Sequence, residues 1–523
     1  MSEQTQIFKA AGVVGGATLL SRILGFLRDA VIAWFFGAGF YTDAFIAAFR
    51  IPNLLRRLFA EGALSSAFVP VFTEYLVHQG ADEAHRLARS ALRLLALILV
   101  TLSFAGILLA PQIVRVIAPG FVASAGKFAL TVRLTRVLFP YIFFIGLTAL
   151  CMGILNALGH FAAPALAPAF LNLAMISSVF LISPFMDEPI MGLALGVLMG
   201  GGLQLAFQFP FLFKKGLVFR RKTPRWHAGL KKILNLGPPF VLGGAVYQIN
   251  VLVSTFWGSL LEEGSVTYLY FADRLVQFPL GIFAIATSTA VLPSFSRQAA
   301  AQDWPALKAT FIQAVKMILF ITIPATVGLV VLREPIVALL FQRGEFDAEA
   351  SRLTAYALLY YGIGIWAFAG VRIVTALFFA LQDTRTPLNT GLLSIGANIV
   401  LGIVLMGPLA HGGLALATSL ASILNLGLLL SALKMKLGSL DWRSIARSAG
   451  RTVVAAGIMG LAVWGVGLII IPSETGKLFG LFCGLMGSIV TGIGLFSAFS
   501  LFTCSPEFIS ILDEAKKVMI GKK

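Results

Sequence analysis

This chain of 523 residues is 58% hydrophobic and only 12% charged, and its mean hydropathy is +0.91. A soluble protein carries about 25% charged residues, so the composition excludes an ordinary soluble domain. Apolar runs of about 20 residues recur along the whole length and predict a polytopic helical membrane protein, while strand-type alternation is missing. The net charge of +17 does not indicate nucleic-acid binding, because much of the excess lies in short loops between apolar runs.

The apolar runs predict an all-α fold with about fourteen transmembrane helices. Their expected positions are 8–38, 41–77, 88–117, 128–157, 161–184, 189–213, 232–260, 265–297, 308–333, 352–381, 386–406, 411–435, 448–471 and 477–502. No signal-peptide pattern precedes the first run, so we expect it to be retained as a helix. Residues 505–523 have helical spacing of apolar positions and predict a tail at the cytoplasmic interface; a frayed end is the alternative.

The distribution of Lys and Arg predicts the orientation. The connections between helices 6 and 7 and between helices 12 and 13 are rich in basic residues, and so is the tail. All three lie on one side if both termini are cytoplasmic. Four basic residues fall on the opposite side and disagree with this pattern: Arg115, Lys127, Arg333 and Arg343.

An internal repeat predicts the domain organisation. The stretch 67–72 (AFVPVF) resembles 290–295 (AVLPSF), and Ala157-Leu158 resembles Ala380-Leu381, both with an offset of 223 residues. Six helices separate the copies, which predicts two six-helix lobes related by a pseudo-twofold axis along the membrane normal, as in transporters. We therefore expect an N-lobe at 1–225, a C-lobe at 226–440, two further helices at 441–504 and the tail at 505–523.

A dense set of charges lies inside the first two apolar runs. Its members are Arg22, Arg28, Asp29, Asp43, Arg50, Arg56, Arg57 and Glu61. One Arg or Asp at the centre of a membrane helix costs about 2.5–3.5 kcal/mol, so these side chains should face a shared polar cavity and not lipid. Helical spacing places Arg22 and Asp29 on one face, turns Arg28 about 100° away, and aligns Asp43 with Arg50 and Arg57.

The second lobe adds Asp273, Arg274 and Arg372. An arginine-rich cavity suits a phosphate, because the planar guanidinium binds phosphate oxygens through two N–H groups and stays ionised when desolvated. Nearby carboxylates would hold the empty arginines in place or exchange partners during transport. The alternative is a set of ion pairs that locks helices together.

Other chemistry has little support in the sequence. Three cysteines (Cys151, Cys483, Cys504) and five scattered histidines give no metal-ligand spacing, and no P-loop is present. We expect a transporter and not an enzyme, with no metal and no cofactor. A membrane glycosyltransferase, a polyprenyl-diphosphate phosphatase and a non-transporting scaffold are the rivals, and the short, acid-poor external loops disfavour the two enzymes.

Seven stretches carry a family resemblance over nearly the whole chain. They are Ser21-Arg-Ile-Leu-Gly-Phe-Leu-Arg-Asp29, Thr42-Asp-Ala-Phe45, Pro52-Asn-Leu-Leu-Arg-Arg57, Phe59-Ala-Glu-Gly62, Ala67-Phe-Val-Pro70, Tyr270-Phe-Ala-Asp-Arg274 and Gln382-Asp-Thr-Arg-Thr-Pro387. With them the chain resembles the MurJ (MviN) lipid II flippase family of the multidrug/oligosaccharidyl-lipid/polysaccharide exporter superfamily.

The resemblance implies specific site residues. The family's essential arginines fall on Arg22, Arg28, Arg56 and Arg274, and its supporting charges on Asp29, Asp43, Glu61, Arg50 and Arg372. Asp273, taken from the sequence alone, is a further supporting charge. Many members carry an acid where this chain has Gln277, which leaves the charge partner of Arg274 open. Spacing alone would choose Arg57 over Arg56 as the cavity residue. Asn250 and Asn398 are polar candidates for a sodium site.

The resemblance also implies a function. The substrate would be lipid II, a polyprenyl diphosphate with a disaccharide-pentapeptide, moved to the outer leaflet of the bacterial inner membrane by alternating access. Helices 13 and 14 would form a groove for the lipid tail. Membrane lipids, the cell-wall synthesis machinery, and a coupling ion (sodium or proton) or the membrane potential are the implied partners and driving forces. Export of another polyprenyl-diphosphate-linked saccharide is the alternative.

Overall fold

The structure is a computed structural model that describes residues 3–58, 64–218, 227–471 and 478–520. Within these ranges the secondary structure is helical and no strand occurs. A helix satisfies its backbone N–H and C=O groups internally, which is what a chain in lipid requires. Ten helical segments of the described residues are long and apolar enough to cross a membrane; two of them, Ala125–Ala157 and Ser265–Ala300, join helices numbered separately below. The all-α membrane fold is confirmed, while the count of fourteen stays a prediction.

The chain divides into two compact units. Unit 1 comprises residues Met1–Thr267 and Arg343–Phe346, and unit 2 comprises Tyr268–Gln342 and Asp347–Lys523. The helix α10 (Ala228–Ser259) groups with unit 1, whereas the repeat placed it in the second lobe. The lobe boundary at 225/226 rests on the repeat and stays a prediction.

Unit 1 contains the following helices: α1 (Glu3–Phe36), α2 (Phe40–Leu58), α3 (Leu64–His78), α4 (Ala81–Leu108), α5 (Ala110–Ile117), α6 (Ala125–Leu138), α7 (Tyr141–Ala157), α8 (Ala162–Leu181), α9 (Pro189–Lys214) and α10. Phe68 and Phe72 stack in its apolar core at a ring distance of 5.4 Å and are fully buried. This core joins α3, α4, α7 and α9.

Small residues allow α8 and α9 to pack closely. Gly192, Gly196 and Gly200 follow one another at four-residue spacing on α9. A Cβ atom at Gly196 would lie 2.0 Å from the hydroxyl of Ser178 on α8, which leaves no room for any larger residue. In lipid, such stripes let helix backbones approach each other and replace the hydrophobic effect as the source of association.

Unit 2 contains the helices α11 (Ser265–Pro279, whose first residues belong to unit 1), α12 (Ile285–Ala300), α13 (Trp304–Val331), α14 (Arg333–Phe341), α15 (Ala348–Ala380), α16 (Arg385–Leu437), α17 (Trp442–Ile470), α18 (Leu478–Phe502) and α19 (Pro506–Ile520), with a π-helical turn at Leu280–Ala284. Helix α16 covers two predicted spans, 386–406 and 411–435. Ala410, between them, has φ 47° and ψ −131°, so the helix is broken where the sequence predicts a connection.

Residues with left-handed backbone conformation follow helices at two pairs of positions near the predicted repeat offset. Gly159 (φ 74°) and Gln382 (φ 57°) are both left-handed residues directly after a helix, and they are 223 residues apart. Gly80 (φ 86°) and Gln302 (φ 54°) form a second pair, 222 residues apart. Glycine adopts this conformation without strain and the two glutamines do not. The internal repeat itself stays a prediction.

Candidate functional site

Arg28 and Asp29 form a buried ion pair on α1. The Nη2 and Nε atoms of Arg28 lie 2.6 and 3.0 Å from Oδ1 of Asp29, and the two residues are 9% and 3% exposed. Helical spacing predicts that these neighbours point about 100° apart. The two residues leave the helix in directions about 100° apart, and their charged groups still meet, because the long arginine side chain folds back toward its neighbour.

Asn172 on α8 completes this cluster and was missed by the sequence analysis. Its Oδ1 accepts a hydrogen bond from Nη1 of Arg28 at 3.0 Å, and its Nδ2 donates to the carbonyl of Ser21 at 3.1 Å. Asn172 is the one amide in the apolar run 162–181, and a lone buried amide at membrane depth was a signal that could have identified it. Gly25 faces it, and a Cβ there would lie 3.5 Å from Nδ2.

The other arginines of unit 1 lie on α1 and α2. Arg22 is exposed, one residue after the carbonyl that Asn172 binds. Arg50 and Arg56 are half-buried on α2, and Nε of Arg56 donates to Oδ1 of Asn53 at 3.0 Å. Glu61 and the side chain of Arg57 lie outside the described residues, so the preference for Arg56 over Arg57 stays a prediction.

Asp43 has a different set of partners from the arginines that the sequence suggested. Its carboxylate is buried and accepts four hydrogen bonds: from Nζ of Lys127 (2.8 Å), from the backbone N–H groups of Gly264 (2.8 Å) and Thr267 (2.9 Å), and from the hydroxyl of Thr267 (2.7 Å). Asp43 lies in the first turn of α2, two helical turns before Arg50. There it meets the N-terminus of α11, whose free N–H groups attract a carboxylate.

Lys127 disagreed with the orientation pattern, and its surroundings explain why. Its ammonium group is buried, pairs with Asp43, and lies 4.6 Å from the ring centre of Phe121 and 5.9 Å from that of Phe40. The positive-inside pattern concerns charges in loops that remain in water. A lysine paired inside the protein is therefore no argument against the predicted orientation.

The predicted residues of unit 2 form a local group on α11. Nη2 of Arg274 donates to the hydroxyl of Tyr270 at 2.8 Å, and the guanidinium carbon lies 4.9 Å from the centre of that ring. Nε2 of Gln277 lies 3.4 Å from Oδ1 of Asp273. Gln277 thus contacts the neighbouring acid, and Tyr270 is one partner of Arg274. Arg372 is half-buried on α15.

Across 3–58, 64–218, 227–471 and 478–520, no cluster of three or more His, Cys, Asp or Glu side chains could hold a metal ion. The sodium candidates lie in different units: Asn250 is half-buried on α10 in unit 1, and Asn398 is buried on α16 in unit 2.

Comparison with known proteins identifies the family. The family model described as "Lipid II flippase MurJ" matches residues 32–483. The chain belongs to the MurJ lipid II flippase family. It is 39% identical over 438 residues to a probable lipid II flippase MurJ of Vibrio cholerae, covering 82% of this chain and 83% of that protein. It is 36% identical over 464 residues to the lipid II flippase MurJ of Burkholderia cenocepacia, covering 87% and 89%.

Solved structures give the same assignment. A MurJ lipid II flippase in an inward closed conformation matches with a TM-score of 0.79 at 27% identity, covering 94% of this chain and 98% of that one. An inward-facing multidrug transporter of the MATE family matches with a TM-score of 0.67 at 17% identity, covering 82% and 98%. The second match shows the fold alone, and it places the MurJ fold beside that of the MATE transporters.

Proposed function

We propose that this chain is a flippase that moves lipid II, the lipid-linked precursor of peptidoglycan, from the inner to the outer leaflet of the bacterial inner membrane. Membership of the MurJ family over residues 32–483 supports this function, as do relatives that carry the name lipid II flippase. The chain acts as a transporter, and no bond of the substrate is broken. Both termini lie in the cytoplasm, as the basic loops predict.

The proposal rests on the hydrogen bonding of the Arg28 guanidinium. Its contacts within the described part of the chain use three of its five N–H groups, two toward Asp29 and one toward Asn172. Two N–H groups remain for a ligand. A guanidinium held in a membrane helix with donors to spare suits a diphosphate, the group that joins the lipid to its sugars.

Asp29 supplies the counter-charge when the site is empty. An unpaired guanidinium in a membrane helix is costly, so the carboxylate stabilises the unloaded protein. A diphosphate that binds Arg28 competes with Asp29 for the same cation, and the pair re-forms after release. An inside-negative membrane potential favours outward movement of the anion by about 2.3 kcal/mol per charge per 100 mV. Coupling to sodium or protons would add to the driving force that the membrane potential supplies.

Arg22, Arg56 and Arg274 complete the proposed set of diphosphate ligands, with Arg50, Asp273 and Arg372 as supporting charges. Alternating access would then expose the site to each side of the membrane in turn. Helices α17 and α18 provide the proposed surface for the lipid tail. Large apolar side chains are exposed on both, including Trp464 and Leu468 on α17 and Phe479 on α18.

The test is lipid II accessibility on the outer face of spheroplasts that carry single variants. Arg28→Ala should abolish flipping, and Arg28→Lys should retain a small part of it, since lysine keeps the charge and loses the planar fork. Arg86→Ala is the matched control, because Arg86 makes an exposed ion pair with Glu83 on α4. Wild-type flipping in Arg28→Ala would reject the site.

The alternative substrate is another polyprenyl-diphosphate-linked saccharide, and the same diphosphate chemistry would serve it. Competition separates the two. An excess of unlabelled lipid II headgroup should inhibit transport of labelled lipid II, and an O-antigen-type headgroup should not. Inhibition by the O-antigen-type headgroup and not by the lipid II headgroup would favour the alternative substrate.

A further inference from the structure

Asn172 uses both ends of its side-chain amide on α1. Oδ1 binds the guanidinium of Arg28, and Nδ2 binds the carbonyl of Ser21, seven residues earlier on the same helix. The residue is 5% exposed; its bond to Arg28 is buried and its bond to Ser21 is partly buried. One buried amide thus connects the side chain of Arg28 to the backbone directly before Arg22.

Two buried glutamines in the same region show what a purely structural amide does. Gln204 and Gln208 on α9 donate through Nε2 to the carbonyls of Ala167 and Ala163 on α8, at 3.0 and 3.2 Å. Each joins two helices through one bond to the backbone, and neither is bonded to a charged group in the described part of the chain. Asn172 differs from both, because half of its hydrogen bonding is given to a proposed ligand of the substrate.

The bond between Asn172 and Arg28 matters because Asp29 binds only one edge of the guanidinium. Asp29 binds Nε and Nη2, one edge of the guanidinium, and Asn172 binds Nη1. When a diphosphate displaces the carboxylate, the bond to Asn172 is the contact that can persist, since an amide oxygen does not repel an anion as a carboxylate does. It would keep the guanidinium plane fixed while its partner changes, and preorganisation of this kind raises affinity.

We propose that Asn172 is a positioning residue that orients the Arg28 guanidinium for the substrate diphosphate. This inference rests on the proposed function. It makes Asn172 part of the binding apparatus without direct contact to the substrate, and it assigns the amide a role in the loaded state as well as in the empty one.

The experiment measures binding of two probes, inorganic pyrophosphate and farnesyl diphosphate, to the full-length protein in detergent. Asn172→Leu has a similar volume and removes both hydrogen bonds. It should weaken binding of both probes about tenfold or more, the usual effect of losing a hydrogen bond to a charged group. Asn172→Ser is the second variant. It should also weaken binding of both probes, and it should disturb the packing less.

Gln204→Leu is the matched control. It removes a buried amide that bonds the same helix α8, so it should lower the melting temperature and leave both dissociation constants at the wild-type value. If Asn172→Leu and Asn172→Ser bind both probes as tightly as wild type while Arg28→Ala does not, the positioning role is wrong. If Arg28→Ala also binds normally, the proposed site itself fails. If the Asn172 variants bind less probe only in proportion to the share of protein that has unfolded, the positioning role is also wrong.

Discussion

Replacement of Asp43 by alanine should destabilise unit 1 strongly. The carboxylate is 1% exposed and accepts four hydrogen bonds, one of them from the buried ammonium group of Lys127. Alanine removes all four acceptor contacts and leaves Lys127 as a buried cation without its counter-ion. It also removes the group that binds the N–H atoms of Gly264 and Thr267 at the start of α11.

The expected loss follows from these contacts. Breaking a buried ion pair by removing one partner costs about 3–5 kcal/mol, because the other charge stays buried. Loss of a side chain that caps a helix N-terminus costs about 1 kcal/mol more. We therefore expect Asp43→Ala to lower the free energy of unfolding by at least about 4 kcal/mol, with most of the loss due to Lys127.

A double-mutant cycle tests this reasoning. The free energy of unfolding is measured in detergent for Asp43→Ala, Lys127→Met and the double variant. Methionine keeps the apolar stem of the lysine between its aromatic neighbours and removes the charge. The double variant should be more stable than Asp43→Ala by about 2 kcal/mol, because Lys127→Met removes the buried cation that Asp43→Ala leaves without its counter-ion. A double variant no more stable than Asp43→Ala, or a loss below 1 kcal/mol in that single variant, would refute the argument.

Three further predictions concern backbone geometry and pH. Ala410→Gly should raise the unfolding free energy by about 1 kcal/mol, since φ 47° with ψ −131° strains any residue but glycine; a decrease would contradict this. Gly344→Ala should destabilise, because its Cβ would lie 2.3 Å from a backbone carbonyl of α1, whereas Gly202→Ala, with nothing within 4 Å, should not. Burial raises the pKa of Asp383, but hydrogen bonds from Lys436 and Thr386 outweigh it and lower that pKa from 3.8 to about 2. Its contribution to stability should be present above about pH 4 and be lost as the pH falls toward 2, and Lys436→Met should reduce this loss in acid unfolding curves.

The fold could be predicted largely because lipid imposes a simple rule. A membrane-spanning segment must satisfy its own backbone, so long apolar runs become helices and their positions can be read from composition. Even the break in α16 follows, since Gly407 and Pro408 interrupt the apolar run there. The division at Thr267 could not be predicted from the repeat, because it depends on which helices pack together and not on which sequences resemble each other.

The site was predictable in its residue types and less so in its partners. Charge at membrane depth singled out Arg28, Asp29 and Asp43, and all three are buried; the shared cavity that they were expected to face stays a prediction. The partner of Arg28 on α8 lies 144 residues away, and no spacing rule connects the two. Helical periodicity describes neighbours on one helix, whereas a side chain from another helix is placed by tertiary packing.

Asp29 and Asp43 show why one sequence signal can correspond to two roles. Both are acids in apolar helices near arginines, and the same energetic argument requires each to find a cation or hydrogen-bond donors. Asp29 lies inside α1 beside Arg28, so its partner is the side chain that we propose as a ligand of the anionic substrate. Asp43 lies in the first turn of α2, where its partners include backbone N–H groups that no substrate carries away. Asp43 therefore holds two segments of unit 1 together, whereas Asp29 pairs with the arginine to which we assign the proposed substrate contact.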